Sequence, residues 1–296
     1  MRARIWGCRG SLAAPGPETV RYGGNTSCVE VRGESGDVVI LDAGTGMRPL
    51  GVALESEGVE RVHVMLSHLH LDHLQGLGFF RPLFRPDREI HLWGPSSPVQ
   101  SLHDRIATYL SPPLFPVSLV DIPSSIEFHD APEEPVQIGS LSVRAAPVTH
   151  QGPTVGYRID EGDRALVYLP DHEPGLGFDL GDRPADWVSG YHLAHGADVL
   201  LHDAQYSDDE YPRHVGWGHS AIGHVVSFAR KAEVGRLVLF HHDPYHPDHE
   251  LEDLVAEAQR LWEDGTSPVL AAWEGMTIEL EDGAVSCATL SSVVER

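Results

Sequence analysis

The sequence predicts an α/β fold, from two features taken together. Short apolar runs recur along the chain, and between or after them lie segments whose apolar residues fall at helical spacing. The run from Met1 to Gly7 is strand-like from its start, and Asp37 to Leu41 reads as a buried strand. Val62 to Leu66 is another. Leu74 to Phe80 begins a short helix interrupted at Pro82, and Pro98 to Leu110 is helical until Ser111-Pro112-Pro113 stops it. The proline-rich stretch through Pro135 reads as loops and short strands, with a lid as one role for it. Thr154–Arg158 and Ala165–Val167 form a tight strand pair, and Val199–Leu201 and Arg236–Phe240 are further strands. Ile222, Val225, Val226 and Ala229 mark a helix within Ser220–Lys231. From Asp248, a second stripe of Leu251, Leu254, Val255, Ala258, Leu261 and Trp262 marks another.

Composition narrows the class. At 296 residues and 41% hydrophobic content the chain is near the upper size for one hydrophobic core, so residues 1–296 are expected to form a single domain. No run approaches the length that spans a bilayer, and Met1-Arg2-Ala3-Arg4-Ile5-Trp6-Gly7 lacks the apolar stretch of a signal peptide. No membrane partner and a cytoplasmic location are therefore expected. Cys8, Cys28 and Cys287 are odd in number and scattered, which implies no disulfide framework. The formal net charge of −23, with basic residues scattered singly or broken up as at Arg81, Arg85 and Arg88, opposes the docking of a large polyanion.

The most informative stretch is Ser67-His68-Leu69-His70-Leu71-Asp72-His73, where four potential metal ligands follow an apolar strand within six residues. In extended chain His68 and His70 leave on the same side, while Asp72 and His73 follow where the chain turns. That arrangement suits two metals a few Å apart better than one. Three later apolar runs also end in a ligand-type residue: Pro147-Val148-Thr149-His150, Ala165–Asp171 and Arg236–His241. His241 and His242 are adjacent, and pattern alone does not separate them.

His-x-His-x-Asp-His after an apolar strand resembles the signature of the metallo-β-lactamase superfamily, and the later runs follow in the order that family uses. The resemblance spans about Met1 to His246 and implies an αβ/βα sandwich with a metal site at one edge. It implies that His68, His70 and His150 hold one metal, that Asp72, His73 and His241 hold a second, and that Asp171 bridges them. Asp42, in the turn Leu41-Asp42-Ala43-Gly44, would brace the metal loop. Imidazoles and carboxylates suit zinc, with manganese or iron tolerated, and such a pair lowers the pKa of water toward neutrality.

A second constellation bears on the reaction. Val199–Leu201 runs into His202-Asp203-Ala204-Gln205, and Gly216-Trp217-Gly218-His219-Ser220 precedes a helix. The two resemble the tRNase Z-like phosphodiesterase branch, in which an acidic residue after a strand supports a histidine that protonates the leaving oxygen. Asp203 and His219 would be that pair, with Asp72 the third catalytic residue. The alternative is that His219 or Ser220 caps the helix. The segment from His150 to Asp171 is too short for the tRNA-gripping arm of tRNase Z, and with the charge this predicts no tRNA or other large nucleic acid as partner. Trp6–Ser11, Arg21–Ser27, Asp171-His172-Glu173-Pro174 and Phe240–Pro244 resemble a bacterial group described as cyclic-nucleotide phosphodiesterase-like. Relatives of this kind often pair, so a homodimer is open.

The expected protein is a dinuclear metal hydrolase of a small phosphodiester, a cyclic nucleotide being the best single guess. The alternatives are an ester, lactone or thioester hydrolase of the same fold, and a metal-bound ligand sensor with little turnover.

Overall fold

A computed structural model describes residues 1–181, 183–262, 267–281 and 284–287. Among these residues the chain builds two sheets that face each other. The first has eight strands, in the order β15-β14-β1-β2-β3-β4-β5-β6. They are β1 (Arg2–Gly7), β2 (Cys28–Arg32), β3 (Val38–Leu41), β4 (Arg61–Met65), β5 (Glu89–Gly94), β6 (Ser125–Asp130), β14 (Thr277–Glu281) and β15 (Ala284–Cys287). The second has seven, in the order β13-β12-β11-β10-β9-β8-β7. Its members are β7 (Val136–Ile138), β8 (Leu141–Pro147), β9 (Val155–Glu161), β10 (Arg164–Leu169), β11 (Val199–Asp203), β12 (Arg236–Phe240) and β13 (Leu270–Ala271). Strands β3 to β6 are mutually parallel, as are β10 to β13, and the remaining neighbouring pairs are antiparallel.

Alternation along the strands assigns the layers. Val39, Leu41 and Met65 join Val143, Tyr157 and Leu166 in the core between the sheets. Their neighbours Val38, Ile40, Val62 and Val64 face the other way, onto α1 (Met47–Glu57) and α2 (Leu102–Tyr109) through Met47, Leu50, Leu54 and Ile106. Outside the second sheet lie α4 (Ile222–Lys231) and α5 (Asp248–Leu261), whose buried Val225, Phe228, Leu251 and Leu254 follow helical spacing. A four-residue α3 (Tyr191–Ala194) completes that side. The αβ/βα sandwich is therefore present. Among the described residues no helix is long and apolar enough to cross a membrane, and the three cysteines are free.

Several elements differ from the sequence expectation. Leu74–Phe80 is not an α-helix but part of a chain of 3-10 turns, Leu71–His73, Leu77–Phe79 and Arg81–Phe84. At Gly76 the helical ladder is broken, because its N–H donates to the Ala43 carbonyl at 2.8 Å, in an approach so close that a Cβ would stand 1.9 Å from the Gly44 carbonyl oxygen, a constraint that local periodicity does not carry. Helix α2 begins only at Leu102, where the Ser101 hydroxyl accepts the Asp104 N–H at 3.1 Å. The proline-rich stretch contributes the edge strand β6, paired to β5. Just before it, Tyr109 donates to the Gln75 carbonyl at 2.7 Å, and residues 109–115 lie against the loop that follows β4.

Candidate metal centre

Asp42 organises the first loop of the site. It follows β3 with φ of 60°, a conformation that is strained for a non-glycine residue, and it is fully buried. Its carboxylate accepts from the Ser67 N–H at 2.7 Å, the Ser67 hydroxyl at 2.9 Å and the Tyr168 hydroxyl at 2.9 Å, and it lies 2.7 Å from His73 Nδ1. With Nδ1 held there, His73 presents Nε2 inward.

Two groups of side chains converge. The ligand atoms of His68, His70, His150 and Asp171 all lie within 4.8 Å of one another, and so do those of Asp72, His73 and His241. Asp171, after β10, stands between the groups. Its Oδ2 is 3.6 Å from His150 Nε2 and 3.7 Å from His68 Nε2, while its Oδ1 is 3.0 Å from His73 Nε2 and 3.3 Å from His241 Nε2. On the far side of the rings the imidazoles are held from outside. His68 Nδ1 meets the Ser67 hydroxyl at 3.0 Å, His150 Nδ1 donates to the Gly218 carbonyl at 2.8 Å, and His241 Nδ1 lies 3.1 Å from Gln205 Oε1. Outer partners of this kind fix the tautomer and aim of a metal-binding histidine. Asp72 Oδ2 accepts the Ser11 N–H at 2.8 Å, which brings the N-terminal loop to the site.

The two adjacent histidines after β12 part company. His241 adopts φ of 58°, which turns its ring back toward Asp72 and Asp171. His242 instead lies with Nε2 2.9 Å from the Ala272 carbonyl and packs edge-on to Tyr22.

The donor set fits divalent metal. His68 Nε2 and Asp171 Oδ1 are buried without a hydrogen-bond partner, a costly state that a cation between them would relieve. Burial pushes the pKa values of His68, His70 and His150 down, which keeps these imidazoles neutral and their lone pairs free. Burial works against ionisation of Asp171, but the neighbouring His241, His73 and His68 overcome it and hold the carboxyl well below its usual range.

His219 stands at the rim of this cluster. Its Nδ1 is 2.7 Å from Asp203 Oδ2 and 3.9 Å from Asp171 Oδ2, and its ring stacks on His241 at 5.0 Å. Burial alone would lower its pKa; the Asp203 carboxylate reverses that and holds it up at about 9. Asp203 is itself fixed by the N–H groups of His172, Gln205 and Ser220. Neither His219 nor Ser220 caps α4, which begins at Ile222 without a side-chain cap, and the Ser220 hydroxyl donates to the His172 carbonyl. A cavity of about 460 Å³ opens beside the metal loop, lined by Leu71, Gln75, Phe79, Tyr109 and Arg48 among others.

Sequence reasoning gave no role to Glu173, yet it governs this corner. Fully buried, it accepts the Tyr211 hydroxyl at 2.7 Å and the N–H groups of Gly216 and Gly218, the latter at 2.7 Å. It thereby sets the loop whose carbonyl holds His150 and whose next residue is His219. Gly218 sits at φ of 91°, and a Cβ there would come 2.2 Å from His150 Nδ1. The usable signal was an acid two residues after a proposed ligand, in Asp171-His172-Glu173. Glu173→Gln turns an amide N–H₂ toward backbone donors. It is expected to weaken metal affinity about 10–100-fold, as losing an outer partner of a ligand does, and to lower stability by about 1–3 kcal/mol. Metal titration and urea unfolding check both; unchanged metal affinity would show that the loop holds His150 without Glu173.

The beta-lactamase superfamily domain model matches residues 38–242. A Ribonuclease Z from Myxococcus xanthus is 28% identical, over 86% of this chain and 92% of its own. A Ribonuclease Z from Natronomonas pharaonis is 25% identical, over 81% and 91%. Among solved structures, the metallo-beta-lactamase fold protein YhfI from Bacillus subtilis superposes with a TM-score of 0.69, at 18% identity, over 94% of this chain and 99% of its own. A diphosphatase of the PhnP family gives 0.65 at 19% identity, over 95% and 98%. The short form of human tRNase Z gives 0.64 at 21%, over 95% and 100%. These relatives overturn the expectation that tRNA and large nucleic acids are excluded as partners, since proteins named for cleaving RNA align along most of this chain. The short hairpin between β9 and β10 is present, but it removes only one handle for a long substrate. The charge of −23 is a sum over the whole chain and does not set the field at one cleft.

Proposed function

The chain belongs to the beta-lactamase superfamily, and on that premise we propose that this hydrolase is a metal-dependent phosphodiesterase. The observation that carries the reading is the His219–Asp203 pair, 2.7 Å apart, at the rim of the metal-ligand cluster. A thioester releases a weakly basic thiolate and has little need of an acid beside the metals. A ribose alkoxide is a strongly basic leaving group and does need one.

In this reading His68, His70, His150 and Asp171 would hold one divalent ion, and Asp72, His73 and His241, with Asp171 shared, would hold another. Zinc suits the donors, with manganese or iron also fitting. Such ions supply an activated water and neutralise charge on the phosphoryl oxygens. The chain's own contribution is orientation and protons. Asp203 engages His219 Nδ1 and leaves Nε2 as the position that gives a proton to the departing oxygen. Asp72, fixed by the Ser11 N–H, would be placed to orient an attacking water.

A cyclic nucleotide remains the first substrate to test, because Phe79 and Tyr109 in the adjoining cavity offer aromatic faces for a base, with Arg48 nearby for charge. The relatives named Ribonuclease Z favour a second reading, cleavage of an RNA diester. The test is a metal-loaded assay on 2′,3′- and 3′,5′-cyclic nucleotides, a tRNA precursor, a lactone and a thioester. Turnover of diesters alone is expected, and the ratio between cyclic nucleotide and RNA ranks the two readings. Efficient lactone or thioester hydrolysis without diester cleavage would overturn the proposal. Metal binding without any turnover would favour a ligand sensor.

A further inference from the structure

A separate group of imidazoles and carboxylates occupies the first sheet near its open edge. β4, β5 and β6 are parallel, with His63 opposite His91 and His91 opposite Glu127, and with Trp93 opposite His129 one step further on. Residues two apart share a face, so His91, Glu127 and His129 converge across the pair formed by β5 and the edge strand β6. His91 Nδ1 is 3.0 Å from His129 Nε2, and Glu127 Oε2 is 3.6 Å from the first and 3.8 Å from the second. We propose that His91, Glu127 and His129 form a mononuclear site for a divalent transition-metal ion, zinc being the best fit, which fastens the edge strand to its neighbour.

The geometry is close to what such an ion demands. Ligand atoms about 2.1 Å from a tetrahedral zinc stand about 3.4 Å from one another, and the three separations here bracket that value. The tautomer of His91 is set correctly as well. Its Nε2 lies 2.9 Å from Glu89 Oε1, so Nε2–H donates to that carboxylate and the lone pair is on Nδ1, facing the other two ligand atoms. The rings have little freedom to turn away. His129 stacks on Trp93 at 4.1 Å and 20°, and His91 stacks on His63 at 4.4 Å and 10°. Burial also lowers the pKa of His129, so its imidazole is neutral and available near pH 7. Glu127 is 56% exposed, which gives an ion a way in and leaves room for water at the fourth position.

The site is distinct from the centre described above. His91, Glu127 and His129 lie within strands, whereas the ligands of the main centre follow strand ends. Sheet edges expose unpaired backbone that can pair with other chains, and β6 is such an edge. An ion held by one residue of β5 and two of β6 resists the peeling of that strand, and because it binds only the folded arrangement it stabilises the protein by mass action.

The test uses chelator-treated full-length protein titrated with zinc, compared with His129→Gln and Glu127→Gln. Wild type is expected to bind one zinc per chain more than His129→Gln, and excess zinc should raise its unfolding temperature further. Activity of the zinc-loaded variants should stay within about twofold of wild type, as for sites without shared partners. Because the readout is a difference in zinc bound, failure of the phosphodiesterase reading would leave it intact. Equal zinc content in wild type and a folded His129→Gln would overturn the proposal. Should His129→Gln not fold, the more exposed Glu127→Gln decides: zinc binding at all sites as tight as in wild type would overturn it too.

Discussion

Asp171→Ala protein is expected to retain at most one divalent metal per chain under metal-replete conditions and to lose about 10³-fold or more of its diesterase activity, since charge stabilisation worth several kcal/mol goes with the ion. The reason is the division of labour within one carboxylate. Oδ2 faces His68 and His150, and Oδ1 faces His73 and His241, so removing the side chain takes a ligand from both groups at once. It also leaves two cations facing each other with one compensating charge fewer. Metal analysis of the purified variant and wild type is the check. A wild type that holds a single ion when metal is plentiful would sink the dinuclear reading, whatever the variant does.

His219→Ala should behave in the opposite way: metal content unchanged, turnover of a cyclic nucleotide down about 10²–10⁴-fold, the usual worth of a positioned general acid. His219 is absent from both groups of proposed ligands, so the centre should survive. The loss on bis(p-nitrophenyl) phosphate should be much smaller, because nitrophenolate is a weak base that departs without a proton. Equal losses on the two substrates would mean that His219 binds the phosphate and gives it no proton. A pH profile adds a second check. The protonated imidazole is the active form, so rate falls as pH rises through its pKa. Asp203 holds that pKa at about 9, and bound cations pull it lower. Asp203→Asn removes the raising charge and should move the alkaline limb of the profile to lower pH; an unmoved limb would assign that limb to another group.

The convergence of these side chains was readable because the proposed ligands are tied to strand periodicity. His68, His70, Asp72 and His73 announce themselves by spacing, and His150, Asp171 and His241 by ending apolar runs. What stayed hidden depends on single backbone angles or on contacts to backbone. Choosing His241 over His242 by geometry requires the left-handed step at residue 241, which no pattern of side chains encodes. Helix α1 is not legible in the sequence because Pro49 and Gly51 are poor helix formers; in the structure Pro49 falls in the first turn, where it is tolerated, and Gly51 lies against Phe80. Glu173 was passed over because its partners are mostly N–H groups of a distant loop, which a sequence does not display. The exclusion of tRNA and other large nucleic acids as partners failed for a different reason, in that a whole-chain charge and one missing arm were used to judge a single surface.

The placement of the ligands has a thermodynamic corollary. His68, His70, Asp72 and His73 follow a strand of the first sheet, whereas His150, Asp171 and His241 follow strands of the second. Neither half offers a complete set, so any ion bound at the centre reports that the two sheets are docked. Occupancy and docking are then one linked equilibrium, and free metal becomes a variable of folding as much as of chemistry. At a free concentration a hundred times the dissociation constant, each such ion adds about 2.7 kcal/mol in favour of the docked state. A shortage of the proposed metal would then lower the stability of the docked state and leave more of the chain open to unfolding and degradation.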